Sequence, residues 1–181
     1  MTRNDNAHSI RLVESIKKHA DVNAADAFAV KFPLSKAADV DKKYEWAKNA
    51  CDYLEEHFDS ETIMRIRKEC RCNDGKSIAN KILKYLSRAD NIRAFVDAFN
   101  EKETFAQFEY IAENCVLFCY PQCYCACIKR APGNISKTWC ACTLGNAESI
   151  FKEVFKTDTV KVALLESIKT GGARCVIEVK W

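Results

Sequence analysis

The sequence lacks any hydrophobic run that approaches the length of a membrane span. Its 181 residues are 48% hydrophobic, yet no apolar stretch reaches the ~20 residues that a transmembrane helix needs. The first six residues, MTRNDN, are polar and do not form the apolar core of a secretory signal peptide. We therefore expect a cytoplasmic protein that has no membrane partner.

Neither sign of charge dominates the chain. The 28 basic and 25 acidic residues give a net charge of +3, and they form no basic stripe with interleaved aromatic residues that could follow a phosphate backbone. We therefore expect no nucleic-acid partner. The sequence also has no internal repeat, no low-complexity tract and no evident linker, which predicts a single domain over residues 1–181.

Histidine is scarce, whereas cysteine is abundant. The three histidines, His8, His19 and His57, all lie in the first third of the chain, while six of the eleven cysteines lie within residues 119–142. In a reducing cytosol, clustered cysteines indicate metal ligands or reactive thiols more often than structural disulfides. A site near this segment would therefore depend on thiols.

Helical periodicity fills residues 1–100. Apolar residues recur every three or four positions from Val40 to Phe58, which predicts one long amphipathic helix. Asp59 or Ser60 can cap a second helix that carries Ile63, Ile66 and Cys70 on one face. The same periodicity predicts further helical segments within residues 10–16, 24–30, 78–86 and 92–99.

After about residue 100, strand patterns replace helical ones. Residues 105–117 fit either a helix or a strand, and Val116 to Tyr120 fits a strand. Residues 123–128 and 138–143 read as a β-hairpin that turns at Pro132 and Gly133. Asn146 could cap the next helix, and residues 160–167 and 174–181 predict a second hairpin.

These elements predict an α+β fold. The helical portion, residues 1–100, should pack as a layer on an antiparallel sheet. The sheet portion, residues 105–181, has a β-β-α-β-β order at its C-terminal end.

The predicted first hairpin places four cysteines on one face. If Pro132 and Gly133 form a two-residue turn, Cys125 lies opposite Cys140, and Cys123 lies opposite Cys142. Cross-strand neighbours would be about 5 Å apart, and neighbours along a strand about 7 Å apart. A three-residue loop is the alternative turn, and it would break this pairing.

A flat face cannot enclose a tetrahedral ion, so further ligands must come from another element. Zinc requires four ligands around one point, with Zn–S bonds of about 2.3 Å. The pair Cys70 and Cys72 could close the site, and Cys115 and Cys119 are further candidates. The predicted metal ligands are Cys70, Cys72, Cys123, Cys125, Cys140 and Cys142. Such soft ligands favour zinc first, and also copper(I), an iron–sulfur cluster or another thiophilic metal.

Two other interpretations of the cysteines remain open. They could be small core residues that fill a tight interface between sheet and helices. Alternatively, one of them could be a nucleophile whose pKa is lowered by Lys129, Arg130 or Lys137. No general base for such a thiol can be identified from the sequence, because no histidine lies near these cysteines in the chain.

The end of the chain carries a family resemblance. Glu166, the turn glycine Gly171, and Cys175 followed by the alternating Ile177 and Val179 resemble the closing hairpin of the vinyl-reductase type (4-vinyl reductase) small-molecule-binding domain. That superfamily also contains haem nitric-oxide-sensing domains and TRAPP vesicle-tethering subunits. The resemblance implies a cavity between sheet and helices for a small hydrophobic or tetrapyrrole-like ligand, or a surface for a partner protein. It supplies no axial haem ligand, because residues 105–181 contain no histidine.

The sequence thus favours a protein that binds a soft metal ion, zinc in first place, or a small ligand, at a thiolate-rich site. The alternative is a cysteine-dependent hydrolase, lyase or redox enzyme that uses the same pocket. The third interpretation, which follows from the TRAPP-like resemblance, is a scaffold subunit that forms a homodimer through its helices.

Overall fold

The structure, a computed structural model, describes residues 4–181. The helices are α1 (Ala7–His19), α2 (Val22–Lys31), α3 (Val40–His57), α4 (Ser60–Glu69), α5 (Lys76–Leu86), α6 (Ile92–Lys102), α7 (Lys137–Cys140) and α8 (Cys142–Phe155). The strands are β1 (Gln107–Ala112), β2 (Cys115–Tyr120), β3 (Lys161–Glu166) and β4 (Cys175–Lys180). The chain divides into two compact units, the first of residues 4–72 with Tyr124–Gly145, and the second of Asn73–Cys123 with Asn146–Trp181.

Polar caps begin the helices of the first unit. Helices α1 to α4 each start after an Asn or Asp whose side chain accepts a hydrogen bond from a backbone N–H of the first turn. Such a cap satisfies one of the donors that a helix N-terminus leaves unpaired. Asp59 is the cap of α4, as its sequence pattern indicates.

The core of the first unit is rich in aromatic residues. Phe28 is fully buried, and its ring centroid lies 6.0 Å from that of Trp46. Trp46 in turn meets Trp139 of α7 edge-on, at 5.7 Å. These contacts hold the short helix α7 against the apolar face of α3, together with the buried Leu54. The position of α7 matters because it carries the backbone groups of the candidate site.

The second unit contains the antiparallel sheet, with strand order β1-β2-β4-β3. Phe118 lies opposite Ile177 in the central pair of strands, and both side chains are fully buried. Phe151 of α8 packs edge-on against Phe118, with ring centroids 5.3 Å apart. The side chain of Asn100 donates a hydrogen bond to the carbonyl of Phe108 and accepts one from its N–H, each at 2.8 Å. These bonds hold α6 against β1.

The predicted α+β class is confirmed, and strands precede and follow a helical segment as expected. The first two strands, however, are β1 and β2 and not the cysteine-rich segments. Residues 121–136 form turns and irregular backbone, with hydrogen bonds from Lys129 N–H to Cys125 O and from Ala131 N–H to Ile128 O. The predicted hairpin of residues 123–128 and 138–143 is therefore wrong.

Burial explains why that hairpin does not form. Cys127 and its neighbour Ile128 are both buried, whereas successive strand residues would point to opposite faces. Ser136 caps α7, so the second predicted strand is helical. The rectangle of Cys123, Cys125, Cys140 and Cys142 on one sheet face is wrong for the same reason.

Two further sequence predictions about the C-terminal portion can be compared with the structure. Asn146 is not a helix cap, because α8 begins at Cys142 and Asn146 lies inside it. The second hairpin is confirmed, since β3 pairs with β4 in antiparallel register. Among the residues that the structure describes, no helix is long and apolar enough to cross a membrane.

Candidate functional site

Arg67 is the centre of the candidate site. It lies near the C-terminal end of α4, and only 3% of it is exposed. Its Nε donates a hydrogen bond to the carbonyl of Thr138 at 3.2 Å, and its Nη2 donates to the carbonyl of Trp139 at 2.7 Å. The guanidinium also lies over the ring of Trp139, 4.3 Å from its centroid. Helix α7 thus fixes the position of a buried positive charge.

This charge has no acidic partner. Within residues 4–181, no carboxylate lies within ion-pair distance of Arg67. Burial opposes the charge of the guanidinium, but the negative charge that Cys70 first and Cys142 next carry as thiolates outweighs burial and raises the pKa of Arg67. Arg67 therefore faces thiols where a buried arginine ordinarily faces a carboxylate.

Four cysteines lie close enough to Arg67 to influence its charge, and they are called the thiol cluster below. They are Cys51 on α3, Cys70 at the end of α4, Cys125 in the irregular segment, and Cys142 at the start of α8. The Sγ of Cys70 lies 3.3 Å from the carbonyl oxygen of Ile66, to which it donates. The Sγ of Cys125 accepts a hydrogen bond from Trp139 Nε1 at 3.4 Å. The cluster therefore draws on four separate segments of the first unit.

The thiols of this region resist ionisation. Burial raises the pKa of Cys51 and of Cys142 to about 12, although the charge of Arg67 acts in the opposite direction. Burial also raises the pKa of Cys70, and it raises that of the nearby Cys127 to about 12. The sulfur atoms of Cys51, Cys70, Cys127 and Cys142 are therefore protonated at neutral pH unless a bound cation displaces their protons.

A second group lies at the edge of the cluster. The Sγ of Cys72 is 4.0 Å from His8 Nδ1, and we call His8 and Cys72 the rim pair. Arg11 lies beside both residues, with its Nη2 3.1 Å from His8 Nδ1 and 3.7 Å from Cys72 Sγ. Because a guanidinium can only donate, Nδ1 is the acceptor, and the neutral imidazole carries its proton on Nε2. Both atoms of the rim pair therefore direct lone pairs at Nη2 of Arg11.

The electrostatics of the rim pair favour neutral histidine. Burial, reinforced by the charge of Arg11, lowers the pKa of His8 to about 4. Burial raises the pKa of Cys72, and Arg11 opposes that shift. The Nε of Arg11 is itself buried and has no hydrogen-bond partner. Arg11 therefore donates to a neutral imidazole and a thiol, as Arg67 donates to backbone carbonyls.

Five of the six predicted metal ligands belong to the first unit. These five residues are Cys70, Cys72, Cys125, Cys140 and Cys142. Cys123 belongs to the second unit, and its place in a metal site stays a prediction. Within residues 4–181, no group of three or more His, Cys, Asp or Glu side chains is already arranged to hold a metal ion. Binding would therefore require the thiols to move together.

Sequence reasoning did not identify Arg67, Arg11 or His8 as site residues. His8 and Arg11 are three residues apart on α1 and so share a face, but nothing in the sequence connects that face to Cys72. For Arg67 a signal existed. It stands in the apolar stripe of α4, four residues after Ile63 and three before Cys70, where a charge is unexpected.

A separate cleft of about 460 Å³ lies in the first unit, between α3 and the segment that follows α2. Phe32, Pro33 and Trp46 form part of its lining, and the charged residues Lys42 and Glu45 also contribute. Its lining contains no cysteine. The cleft is therefore distinct from the thiol cluster.

Comparison with known families identifies the chain at the level of a family. The model of a family of unknown function, DUF6144, matches residues 1–180. The chain belongs to DUF6144. No curated protein matches this DUF6144 chain.

Solved structures similar to this DUF6144 protein include several H-NOX domains. The H-NOX domain from Shewanella oneidensis in the Fe(II)CO ligation state is 9% identical, with 97% of each chain covered and a TM-score of 0.45. The H-NOX from Shewanella woodyi is 12% identical, with 94% of this chain and 90% of that chain covered and a TM-score of 0.42. An H-NOX mutant from T. tengcongensis is 12% identical, with coverage of 95% and 94% and a TM-score of 0.42. None of these matches is a vinyl reductase, so that part of the predicted resemblance is not confirmed.

Proposed function

We propose that this protein binds a soft metal ion, zinc or copper(I), through the thiolates of Cys70, Cys125 and Cys142. Arg67 supplies the positive charge that compensates the thiolates. The observation that carries the proposal is the buried guanidinium of Arg67, which among the described residues has thiols near it and no carboxylate within ion-pair distance. A small ligand could then bind through an open coordination position of the metal.

The charge of Arg67 indicates which kind of metal fits. An uncompensated buried charge costs several kcal/mol, so a negative group beside Arg67 stabilises the protein. Zinc with three thiolates carries a net charge of −1, and copper(I) with two thiolates carries the same charge. Arsenic(III) with three thiolates is neutral and would leave Arg67 uncompensated. The site therefore favours a cation of charge one or two over a trivalent metalloid.

The local backbone allows the thiols to converge. Cys125 lies in the irregular segment of residues 121–136, and Cys70 is the C-terminal cap of α4, so neither is inside a regular element. Copper(I) needs only soft thiolate ligands, while zinc in structural sites takes four ligands. For zinc, the fourth ligand would come from Cys72 or Cys140, the other predicted cysteines of the first unit.

Metal analysis tests this function directly. Protein purified in reducing buffer without added metal should bind one equivalent of Zn²⁺ or Cu(I) in native mass spectrometry and in chelator competition. The double variant Cys125→Ser, Cys142→Ser should lose that binding and keep its helical circular dichroism. The matched control is Cys115→Ser, Cys119→Ser, because these buried cysteines lie in β2 of the second unit. Failure of the wild-type protein to bind either ion would disprove the proposal.

The second candidate function is cysteine-dependent chemistry at Cys72. The observation that favours it is the position of His8, whose Nδ1 lies 4.0 Å from the sulfur. In that case one thiol should react with iodoacetamide much faster than the other ten, and His8→Gln should slow the reaction. Uniformly slow alkylation of all eleven cysteines would exclude this candidate.

A further inference from the structure

The cleft between α3 and the segment that follows α2 has walls that the protein holds in place. The backbone N–H groups of Asp5 and Asn6 both donate to the carbonyl of Leu34, at 3.2 and 3.1 Å. From α3, Nε1 of Trp46 donates to the carbonyl of Phe32 at 2.9 Å. These bonds fix the segment on both sides, so the cleft is formed before any ligand arrives, as is usual for small-molecule sites.

Helix α3 contributes one face to the cleft. Its lining residues are spaced three or four positions apart, and they are Lys42, Glu45, Trp46 and Asn49. Residues at this spacing lie above one another on a helix. The opposite wall begins with Lys31, at the end of α2, whose Nζ lies 5.2 Å from the centroid of the Phe32 ring. Polar groups from two elements therefore flank an aromatic surface.

The lining carries both signs of charge. Lys31 and Lys42 supply two ammonium groups, and Glu45 supplies one carboxylate. Lys42 is also 3.7 Å from a carboxylate oxygen of Asp39. Among the described residues, the Glu45 carboxylate and the Asn49 amide make no hydrogen bond or ion pair. Both groups can therefore bind a ligand without breaking a contact within the protein.

We propose that this cleft binds a free α-amino acid that has a large apolar side chain. The carboxylate of the ligand pairs with Lys31 and Lys42, and its ammonium group pairs with Glu45. Its side chain packs against Phe32 and Pro33, which are both partly exposed. The volume of about 460 Å³ lies within the range of small-ligand pockets. Because the cleft is separate from the thiol cluster, this site goes beyond the proposed metal binding.

A ligand of a single charge fits this lining less well. A carboxylate without an ammonium group would place a second negative charge near Glu45. An amine without a carboxylate would add a positive charge near Lys31 and Lys42. Since like charges brought together oppose binding, the mixed lining favours a zwitterion over either ion.

Calorimetric titration of the full-length protein tests the site with defined compounds. L-phenylalanine and L-leucine are the zwitterionic probes, phenylacetate lacks the ammonium group, and phenethylamine lacks the carboxylate. Wild type should bind at least one of the two amino acids saturably, at one equivalent, and should bind both singly charged compounds more weakly.

Substitutions in the lining separate the two charge contacts. Glu45→Gln should weaken amino-acid binding roughly three- to tenfold, because it removes a charged hydrogen-bond acceptor, and should not weaken the binding of phenylacetate. The double variant Lys31→Gln, Lys42→Gln should weaken amino-acid binding and should not weaken the binding of phenethylamine. The matched control is Asp52→Asn, because Asp52 is an exposed carboxylate of α3 outside the cleft lining.

The other outcomes each contradict the inference. If wild type binds neither amino acid, the cleft is not an amino-acid site. Equal affinity for phenylacetate and L-phenylalanine would show that the ammonium group is not recognised. Equal weakening by Asp52→Asn and Glu45→Gln would show a general effect of net charge and would overturn the pairing with Glu45. None of these results bears on metal binding by the thiol cluster, which is measured separately.

Discussion

Replacing Arg67 by Gln tests the charge argument at its centre. The substitution removes the positive charge and keeps a side chain that can donate to the carbonyls of Thr138 and Trp139. If the metal is held as a negatively charged thiolate centre, the loss of this charge must weaken binding. If the cysteines are only core residues, the protein binds no metal, and Arg67→Gln changes no metal affinity.

The structure sets a lower bound for the effect. The guanidinium lies 4.3 Å from the centroid of the Trp139 ring, and the indole nitrogen of that ring lies 3.4 Å from Cys125 Sγ. The charge is therefore within about 10 Å of the sulfur, where an effective dielectric constant of 20 gives about 1.7 kcal/mol per unit of net charge. That energy corresponds to a factor of somewhat more than ten in affinity. A centre of charge −2 would lose about twice that free energy.

Chelator competition with Zn²⁺ and with Cu(I) measures the change in affinity. Arg67→Gln should bind at least about tenfold more weakly than wild type, whereas Arg67→Lys, which keeps the charge, should lose much less. Arg65→Gln is the matched control, because Arg65 is exposed on the same helix and pairs with Glu61 at 3.0 Å. Wild-type affinity in a folded Arg67→Gln protein would refute the assignment of Arg67 as the counter-charge.

Three further predictions concern stability, each measured by urea unfolding of the metal-free protein. Gly145→Ala should lower the free energy of unfolding by about 1–3 kcal/mol, because a Cβ atom there would lie 1.8 Å from the carbonyl oxygen of Lys68. An unchanged free energy would show that α4 and α8 are not packed so closely. Asn100→Ala should cost about 1–3 kcal/mol, because it leaves the backbone groups of Phe108 without their partners, and a loss below 0.5 kcal/mol would contradict this. Burial raises the pKa of Cys51 from 9.0 to about 12. The stabilising effect of the protonated Cys51 thiol is therefore complete below pH 9 and is lost as the pH rises from 9 to 12. Over that range the free energy of unfolding falls by up to about 1.4 kcal/mol per pH unit. Cys51→Ala should flatten that dependence, and an equally steep loss in the variant would assign it to other groups.

Helices α1 to α6 and the last two strands could be predicted because their signals are local. The stripe from Val40 to Phe58 repeats with the helical period, and Asp59 stands at the cap position of the next helix. In the same way, Ile177 and Val179 alternate with more polar residues and bury the same face of β4. In each case the residues that determine the element are neighbours in the sequence.

The cysteine-rich segment could not be predicted in the same way. Cysteine is a small residue that packs as well in a turn or a helix as in a strand, so its alternation carries little information about backbone structure. What decides the local structure is the burial of Cys127, Ile128 and Ile135 against the core of the first unit. That burial depends on α3 and α4, which are distant in sequence. Which of these thiols come near one another is therefore determined by tertiary packing and not by a hairpin register.

Arg67 shows how a charge can locate a site that spacing alone does not. Ile63, Ile66 and Cys70 define the inward face of α4, and Arg67 lies on that face between them. A charged side chain in an apolar stripe is expensive unless a compensating group is present. Since the stripe itself ends in a cysteine, the compensating groups that the fold offers are thiols. The same sequence signal, a lone cation in a cysteine-bearing apolar stripe, should therefore indicate a thiolate site in other members of DUF6144, even where the order of the remaining cysteines differs.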